Sequence, residues 1–170
     1  GYGDIRKMGS GNVGATNVLR TGKKSLAIAV LILDIVKGFL PIVIFLKYYQ
    51  LSYPSSFLIL IGSMSIIGHI FPVWLKFKGG KGVAVYLGVL FAISLNLGFI
   101  FIITWIIILF TSKYSSLSSI ISSMIIFLYS LALNILIMNL FFFIAFIIII
   151  YTHRDNILRI KDKTENKTNF

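Results

Sequence analysis

The chain of 170 residues contains no cysteine, three prolines and only five acidic residues. Without cysteine, disulfide bonds and thiolate metal sites are excluded. The few carboxylates and the two histidines are scattered, so we predict neither a metal site nor a cofactor. Charged residues make up 12% of the chain and hydrophobic residues 58%, with a mean hydropathy of +0.96. This composition excludes disorder and argues against a soluble globular domain.

Long apolar runs dominate the rest of the sequence. Because lipid cannot hydrogen-bond to the backbone, each spanning segment must pair its own polar groups, which favours an all-α, polytopic helical membrane protein. The alternating pattern of a membrane barrel is not seen in the sequence. The net charge is +11 at pH 7. Since the basic residues border the apolar runs, we attribute them to membrane topology and phosphate-bearing partners and not to nucleic acid.

The number of spans depends on how the apolar runs divide. These runs cover residues 26–49, 57–75, 83–110 and 117–151. A single helix over the last run would be roughly 50 Å long at about 1.5 Å per residue, whereas the hydrocarbon core is about 30 Å thick. We therefore predict a break near Asn134 and a second near 94–96, which gives six spans. The alternative is four longer spans, with Lys113 on the outer side.

Three basic, polar segments interrupt the apolar runs. We term residues 9–20, 77–84 and 153–159 the first, second and third cassettes. Because an excess of Lys and Arg marks the cytoplasmic side, both span counts place all three cassettes on that side. Segments distant in sequence would then meet at the helix ends. The pattern predicts one composite, anion-binding site at the membrane surface.

The second cassette has the composition of a phosphate-binding loop. Gly79, Gly80 and Gly82 permit backbone conformations in which N–H groups converge on a phosphate. Lys78 and Lys81 add positive charge, and the helix that follows would add the positive end of its dipole. Gly82 stands where a Walker A loop has Ser or Thr, so a magnesium nucleotide is not indicated. The alternative is a flexible basic loop that only sets topology.

The first cassette is dense in small hydrogen-bonding residues and ends in a cation. Arg20 can bind phosphate through two parallel hydrogen bonds. The other residues that we assign to this anion site are Gly9, Ser10, Gly11, Asn12, Thr16 and Asn17. The alternative is a polar loop that caps the next helix.

The third cassette places His153 and Asn156 three positions apart, on one face of a helix that continues from the last span. Because an ordinary histidine titrates near neutral pH, we expect His153 to be able to act as an acid or a base. The alternative is an interfacial histidine without a chemical role, flanked by Arg154 and Arg159 as membrane anchors.

Two polar features fall inside the predicted spans. Asp34 and Lys37 lie one turn apart, and we predict a structural ion pair because isolated charges are costly in lipid. Pro72 cannot donate a hydrogen bond to the carbonyl of Gly68, so we expect a kink with His69 in a structural role. The serine-rich segment 115–123 lacks an identifiable histidine–carboxylate partner, which leaves a serine hydrolase weakly supported.

Taken together, these motifs resemble those of the bacterial acyl-phosphate:glycerol-3-phosphate acyltransferases, the PlsY family. The three family signatures are similar to residues 4–20, to 68–72 with 77–84, and to 153–165. The resemblance implies a multi-pass protein of the bacterial inner membrane with its active site facing the cytoplasm. It also implies transfer of a fatty acyl group from acyl phosphate to the 1-hydroxyl of sn-glycerol 3-phosphate. The products would be lysophosphatidic acid and phosphate, in the first acylation of phospholipid synthesis.

The family has seven spans, and its first span precedes the segment that matches Asp4. The resemblance therefore implies one membrane-embedded acyltransferase domain over residues 1–170, incomplete at its N-terminus. Its expected partners are acyl phosphate, glycerol 3-phosphate and the lipid bilayer, without nucleic acid and without a cofactor. The oligomeric state is left open.

The resemblance also assigns roles to single residues. Those implied to be catalytic are Ser10, Arg20, Lys81, His153 and Asn156. Gly79, Gly80 and Gly82 would hold phosphate, Ser116 would contact glycerol 3-phosphate, and Glu165 would be structural. Val85 and Lys163 depart from the family pattern, which usually has Thr and commonly has Gly at these positions.

We expect direct acyl transfer, with Arg20, Lys81 and backbone N–H groups positioning the two phosphates. The proton of the attacking hydroxyl would go to His153 or to a substrate phosphate. An acyl intermediate on Ser10 is disfavoured because no base is assigned to it. The competing hypotheses are an anion transporter or anion-binding protein, although no clear inverted repeat is seen, and a truncated, inactive product.

Overall fold

The computed structural model describes residues 3–49 and 56–168. The predicted link at 50–55 lies outside the described residues. Within the described ranges the chain is helical and forms no strand. Its helices are α1 (Ala15–Arg20), α2 (Lys24–Tyr49), α3 (Ser56–Ile70), α4 (Val83–Ile93), α5 (Leu95–Ser112), α6 (Ser115–Leu133), α7 (Leu136–Thr152) and α8 (Arg154–Lys161). The predicted all-α membrane fold is confirmed.

Both predicted breaks in the long apolar runs are confirmed. Ser94 has an extended backbone (φ −160°, ψ 129°) between α4 and α5. Asn134 has a left-handed backbone (φ 54°) between α6 and α7, a conformation that asparagine tolerates better than most residues. Each run is therefore divided at a polar residue whose side chain competes for backbone hydrogen bonds.

The predicted number of six spans is wrong. Among the described residues, four helices are long and apolar enough to cross a membrane: α2, α5, α6 and α3 with the turn that follows it. A fifth results if α7 and α8, bent by 58°, are counted as one span. The helix α4 has 11 residues and is about 16 Å long, roughly half the thickness of the hydrocarbon core. Four undivided spans are equally inconsistent with the breaks at Ser94 and Asn134.

The short helix α4 is a core element. Residues 85–90 of this helix are all buried, so it is enclosed by neighbouring helices and not by lipid. It crosses α2 at two glycines. A Cβ atom on Gly38 would be 2.0 Å from the carbonyl oxygen of Val85, and one on Gly88 would be 2.0 Å from that of Ile35. The two backbones therefore touch, and this contact fixes where α4 begins.

The N-terminal end of α6 and the C-terminal tail lie at one end of the bundle. The N–H of Thr168 donates to the carbonyl oxygen of Lys113 at 2.8 Å. The link between α5 and α6, which contains Lys113, therefore lies beside the segment that follows the third cassette. The four-span alternative placed Lys113 on the opposite side of the membrane from that cassette.

We expect Gly88→Ala to lower the free energy of unfolding by about 1–3 kcal/mol, because the backbone of α2 cannot move aside. Gly68→Ala is the matched control, since a Cβ atom there has no neighbour within 4 Å. The thermal midpoint and folded yield of both variants in detergent would check this. Equal midpoints for the two variants would contradict the tight crossing.

Candidate active site

The first cassette is organised around the buried amide of Asn17, which is 2% exposed. Its Oδ1 accepts the N–H of Ser10 at 2.8 Å. Its Nδ2 donates to the carbonyl oxygens of Met8 at 2.9 Å and Asn12 at 2.8 Å. The amide therefore holds its own loop together, while Asn17 also lines the candidate cavity, so its predicted contact with substrate stays a prediction.

Two glycines allow the first cassette to fold around this amide. Gly9 and Gly11 have φ values of +54° and +71°, which residues with a side chain rarely adopt. A Cβ atom on Gly9 would also lie 2.2 Å from Oδ1 of Asn17. These glycines therefore shape the loop. The polar residues of this cassette that line the candidate site are Ser10, Asn12, Thr16, Asn17 and Arg20.

The backbone of the second cassette differs from the predicted phosphate cradle. The N–H of Gly79 donates to the carbonyl oxygen of Ile70 at 3.0 Å, and that of Gly80 donates to His69 at 3.2 Å. These N–H groups satisfy carbonyls at the end of α3, which would otherwise lack partners. Both N–H groups are therefore already paired within the protein, although Gly79 and Gly80 line the polar vestibule, so their predicted role in holding phosphate stays a prediction.

What the second cassette offers to an anion is Lys81 and the start of α4. Gly82 has φ +82°, which turns the chain into this helix. Gly82, Val83 and Ala84 line the same cavity as Lys81. The first N–H groups of a helix have no partner within it and carry partial positive charge. The predicted dipole contribution is therefore geometrically possible.

The third cassette begins at the bend between α7 and α8. His153 is 3% exposed, and its Nδ1 lies 2.8 Å from the carbonyl oxygen of Ile149. In the tautomer that donates this bond, Nδ1 carries the proton and Nε2 is left as an acceptor. Burial and the nearby charge of Lys81 lower the pKa of His153 to about 4, which corrects the prediction that it titrates near neutral pH. At neutral pH the ring is therefore uncharged, with one nitrogen held by the backbone and the other free to accept a hydrogen bond.

A buried carboxylate joins the third cassette to the tail and to α6. Oε1 of Glu165 accepts hydrogen bonds from Asn156 Nδ2 at 2.6 Å and from Ser116 Oγ at 3.2 Å. Its Oε2 accepts one from Arg159 Nε at 2.7 Å. Burial raises the pKa of the Glu165 carboxyl, but the hydrogen bonds from Arg159 and Asn156 outweigh it and hold the pKa below its ordinary value. We term these four residues the Glu165 cluster.

The Glu165 cluster continues into the second cassette. Lys81 Nζ donates to Oδ1 of Asn156, whose Nδ2 is bound to Glu165. Thr152 Oγ1 donates to the carbonyl oxygen of Lys81 at 3.2 Å. The second and third cassettes are therefore held together by side chains at both ends of Lys81.

Two cavities meet at these cassettes. One, of about 500 Å³, extends from Arg20 and His153 between α2, α4 and α5, where it is lined mainly by apolar side chains. The other, of about 670 Å³, is a polar vestibule lined by Arg6, Lys7, Lys78, Arg154 and Arg159 among others. Both are lined by Ser10, Asn12, Lys81 and Asn156, which come from all three cassettes.

The predicted ion pair inside the membrane is present. Lys37 Nζ lies 3.0 Å from Oδ1 of Asp34, and His69 Nδ1 lies 3.5 Å from the same oxygen. Asp34 and His69 line the apolar cavity. Pro72 follows the end of α3 and does not kink a longer helix, because the chain turns back after Ile70 to pair with the second cassette.

The serine-rich segment packs α6 against its neighbours. Oγ of Ser118 and Oγ of Ser119 donate to main-chain carbonyls one turn earlier, and Ser119 also accepts a hydrogen bond from Trp105 Nε1 at 3.1 Å.

Sequence reasoning missed the apolar wall of the cavity, including Leu31, Phe101 and Trp105. In uniformly apolar helices no periodic signal marks such positions.

The comparisons with known proteins agree with this arrangement. The family model for glycerol-3-phosphate acyltransferase matches residues 1–163. The chain belongs to this family. A glycerol-3-phosphate acyltransferase from Pelagibacter ubique is 51% identical over 166 residues, covering 97% of this chain and 83% of the relative. One from Ehrlichia ruminantium (strain Gardel) is 46% identical over 169 residues, covering 99% of this chain and 85% of the relative.

Two crystal structures of PlsY, an integral membrane glycerol 3-phosphate acyltransferase, have the same fold. The glycerol 3-phosphate form matches with a TM-score of 0.91 and 38% identity, covering 98% of this chain and 83% of that one. The lysophosphatidic acid form matches with a TM-score of 0.86 and 37% identity, covering 94% and 81%. This acyltransferase is therefore an integral membrane enzyme of the PlsY type.

We expect Glu165→Gln to reduce acyltransferase activity about tenfold or more and stability by about 1–3 kcal/mol. The amide leaves Arg159 without its anion and releases Asn156, and hydrogen bonds to charged groups contribute about this much. Asp162→Asn, at an exposed position directly after α8, is the control. Activity and thermal midpoint in detergent check both variants.

The same variant tests the acid response. Since the folded-state pKa of Glu165 is lowered, its carboxylate stabilises the fold above the ordinary glutamate pKa. This contribution is lost as the pH falls through the lowered value. Glu165→Gln should therefore be less sensitive to acid than the parent, and an equal acid response in both proteins would contradict the arrangement.

Proposed function

We propose that this acyltransferase transfers a fatty acyl group from acyl phosphate to the 1-hydroxyl of sn-glycerol 3-phosphate, forming lysophosphatidic acid and inorganic phosphate. The observation that carries this proposal is the pair of cavities with a shared wall at Ser10, Asn12, Lys81 and Asn156. One cavity suits a fatty chain and the other suits a small, anionic, water-soluble substrate. Their shared wall is the place where an acyl group can pass from one to the other.

The vestibule suits glycerol 3-phosphate because of its basic lining. Lys7 and Lys78 line it and are exposed, so they can attract a phosphate from water. A PlsY structure in the glycerol 3-phosphate form, with 38% identity to this chain, supports this substrate. The cationic vestibule would therefore concentrate the acceptor next to the shared wall.

The apolar cavity suits the acyl donor. An acyl phosphate would place its chain between α2, α4 and α5, and its anionic head near Lys81 and the first N–H groups of α4. An acyl thioester would instead place an uncharged sulfur beside this positive charge. The electrostatics of the wall thus favour phosphate as the leaving group.

The transfer is proposed as a direct displacement. The 1-hydroxyl oxygen attacks the acyl carbon, a new C–O ester bond forms, and the C–O bond to phosphate breaks with its electron pair leaving on phosphate. Arg20 and Lys81 offset the charge that develops on the acyl oxygen and the leaving group. The hydroxyl proton passes to Nε2 of His153 or to an oxygen of the departing phosphate. Atoms and charge balance without a cofactor.

We propose that residues 1–170 act as one acyltransferase domain in the bacterial inner membrane, with the site facing the cytoplasm. The support is the clustering of basic residues around the vestibule, as the positive-inside rule requires: they come from the second and third cassettes and from Arg6 and Lys7, which precede the first. Both substrates would then be reached from one side of the bilayer, the donor through lipid and the acceptor through water.

The choice of donor is tested directly. Purified protein and labelled glycerol 3-phosphate are incubated with acyl phosphate, acyl-CoA or acyl carrier protein carrying the same chain. We expect labelled lysophosphatidic acid with acyl phosphate and at least about tenfold less with either thioester, since one buried charge contact is worth about 1.4 kcal/mol or more. A thioester that serves equally well would contradict the proposal.

The charge of Lys81 gives the reaction a defined pH response. Burial lowers the pKa of Lys81 to about 8. The ammonium form is therefore complete only at lower pH, and kcat/KM should fall as the pH rises through about 8 if this charge is needed.

Substitutions test whether activity depends on the charges of Lys81 and Arg20 and not on that of a nearby lysine. We expect Lys81→Ala and Arg20→Ala to lose at least about 100-fold in activity while remaining folded, because each removes a charge at the reacting groups. Lys76→Ala is the matched control, since Lys76 is exposed on the same loop. Parent-like activity of either site variant would remove that residue from the site.

A further inference from the structure

The ring of His69 lies between a membrane-embedded carboxylate and the second cassette. The side chain is 10% exposed, and its Nδ1 is 3.5 Å from Oδ1 of Asp34. On its other side, Nε2 faces Gly80: a Cβ atom added to Gly80 would lie only 2.1 Å from it. The ring therefore occupies the space that a side chain at position 80 would need.

The main chain of the same residue holds the cassette as well. The carbonyl oxygen of His69 accepts the N–H of Gly80 at 3.2 Å, and that of Ile70 accepts the N–H of Gly79 at 3.0 Å. A Cβ atom on Gly79 would be 2.1 Å from the carbonyl oxygen of His69. The two residues that directly precede Lys81 are thus packed against the end of α3 without spare room.

Asp34 and His69 have no part in the displacement proposed above, so the presence of two polar side chains inside the membrane needs another explanation. Ionisable groups inside a membrane are costly and are retained where they pair or serve function. Apolar side chains could fill the same space. A carboxylate beside one ring nitrogen also fixes the plane of the ring, which packing alone does not.

We propose that Asp34 and His69 are positioning residues for acyl transfer, which brace Gly79 and Gly80 from inside the membrane and so set the place of the Lys81 ammonium. This inference rests on the proposed function. Lys81 Nζ reaches Asn156, and its carbonyl oxygen is held by Thr152. A shift of the preceding glycines would therefore move the ammonium away from the shared wall of the two cavities.

A pair of size-complementary substitutions tests the brace. Gly80→Ala should reduce kcat/KM about 100-fold, since a misplacement of about 1 Å at a reacting group can cost this much. In the double variant with His69→Ala the ring is absent, and activity should recover about tenfold relative to Gly80→Ala alone. The assay follows lysophosphatidic acid formed from acyl phosphate and labelled glycerol 3-phosphate. A parent-like Gly80→Ala variant, or a double variant no better than Gly80→Ala, overturns the proposal.

A second comparison decides the matter if Gly80→Ala does not fold. His69→Gln keeps a donor for Asp34 and should retain about tenfold more activity than His69→Ala at an equal thermal midpoint. Asp34→Leu should raise the KM for glycerol 3-phosphate or lower kcat, whereas Lys37→Met should not, because Lys37 binds the same carboxylate but is 61% exposed. Equal kinetics for His69→Gln and His69→Ala would overturn the brace.

The unchanged enzyme separates this inference from the function on which it rests. A parent protein that forms no lysophosphatidic acid from acyl phosphate would refute the proposed reaction. An active parent protein, together with a double variant that is no more active than Gly80→Ala alone, would refute the brace and leave the proposed reaction standing.

Discussion

The organisation of the site depends on one buried anion. The carboxylate of Glu165 is costly to bury unless every oxygen is paired, and pairing it draws Ser116 from α6 and both Asn156 and Arg159 from α8 to one point. Because the amide nitrogen of Asn156 is bound to this anion, the amide oxygen faces the other way and receives Lys81. A single charge therefore orients the amide that binds Lys81, and it does so between segments that are far apart in the sequence.

A second constraint comes from the short helix α4. Its residues 85–90 are buried, and its contact with α2 through Gly38 and Gly88 brings the two backbones together. This enclosure lets an 11-residue helix exist within the bundle, and the first residues of that helix line the apolar cavity. The brace at His69 and the Glu165 cluster then hold the loop before this helix from two sides.

Much of this arrangement could be predicted from the chain itself, and the rest fails for physical reasons. The breaks at Ser94 and Asn134 follow from polar residues inside overlong apolar runs. The six-span count was wrong because the length of a run does not reveal that other helices enclose α4. The N–H groups of Gly79 and Gly80, and the amide of Asn17, have partners that depend on tertiary contacts, which local composition does not specify. The roles of Ser10, Arg20, Lys81 and His153 remain predictions that the geometry supports.

The position of the shared wall at one end of the bundle has a consequence for the membrane. With the site on one side of the membrane, as proposed, each turnover would add one new lipid molecule to the leaflet that the cassettes face and none to the opposite leaflet. Growth driven by this enzyme would therefore enlarge one half of the bilayer first and create a difference in leaflet area that favours curvature. Equal areas of the two leaflets then require movement of lipid across the bilayer by a separate process, at a rate matched to acyl transfer.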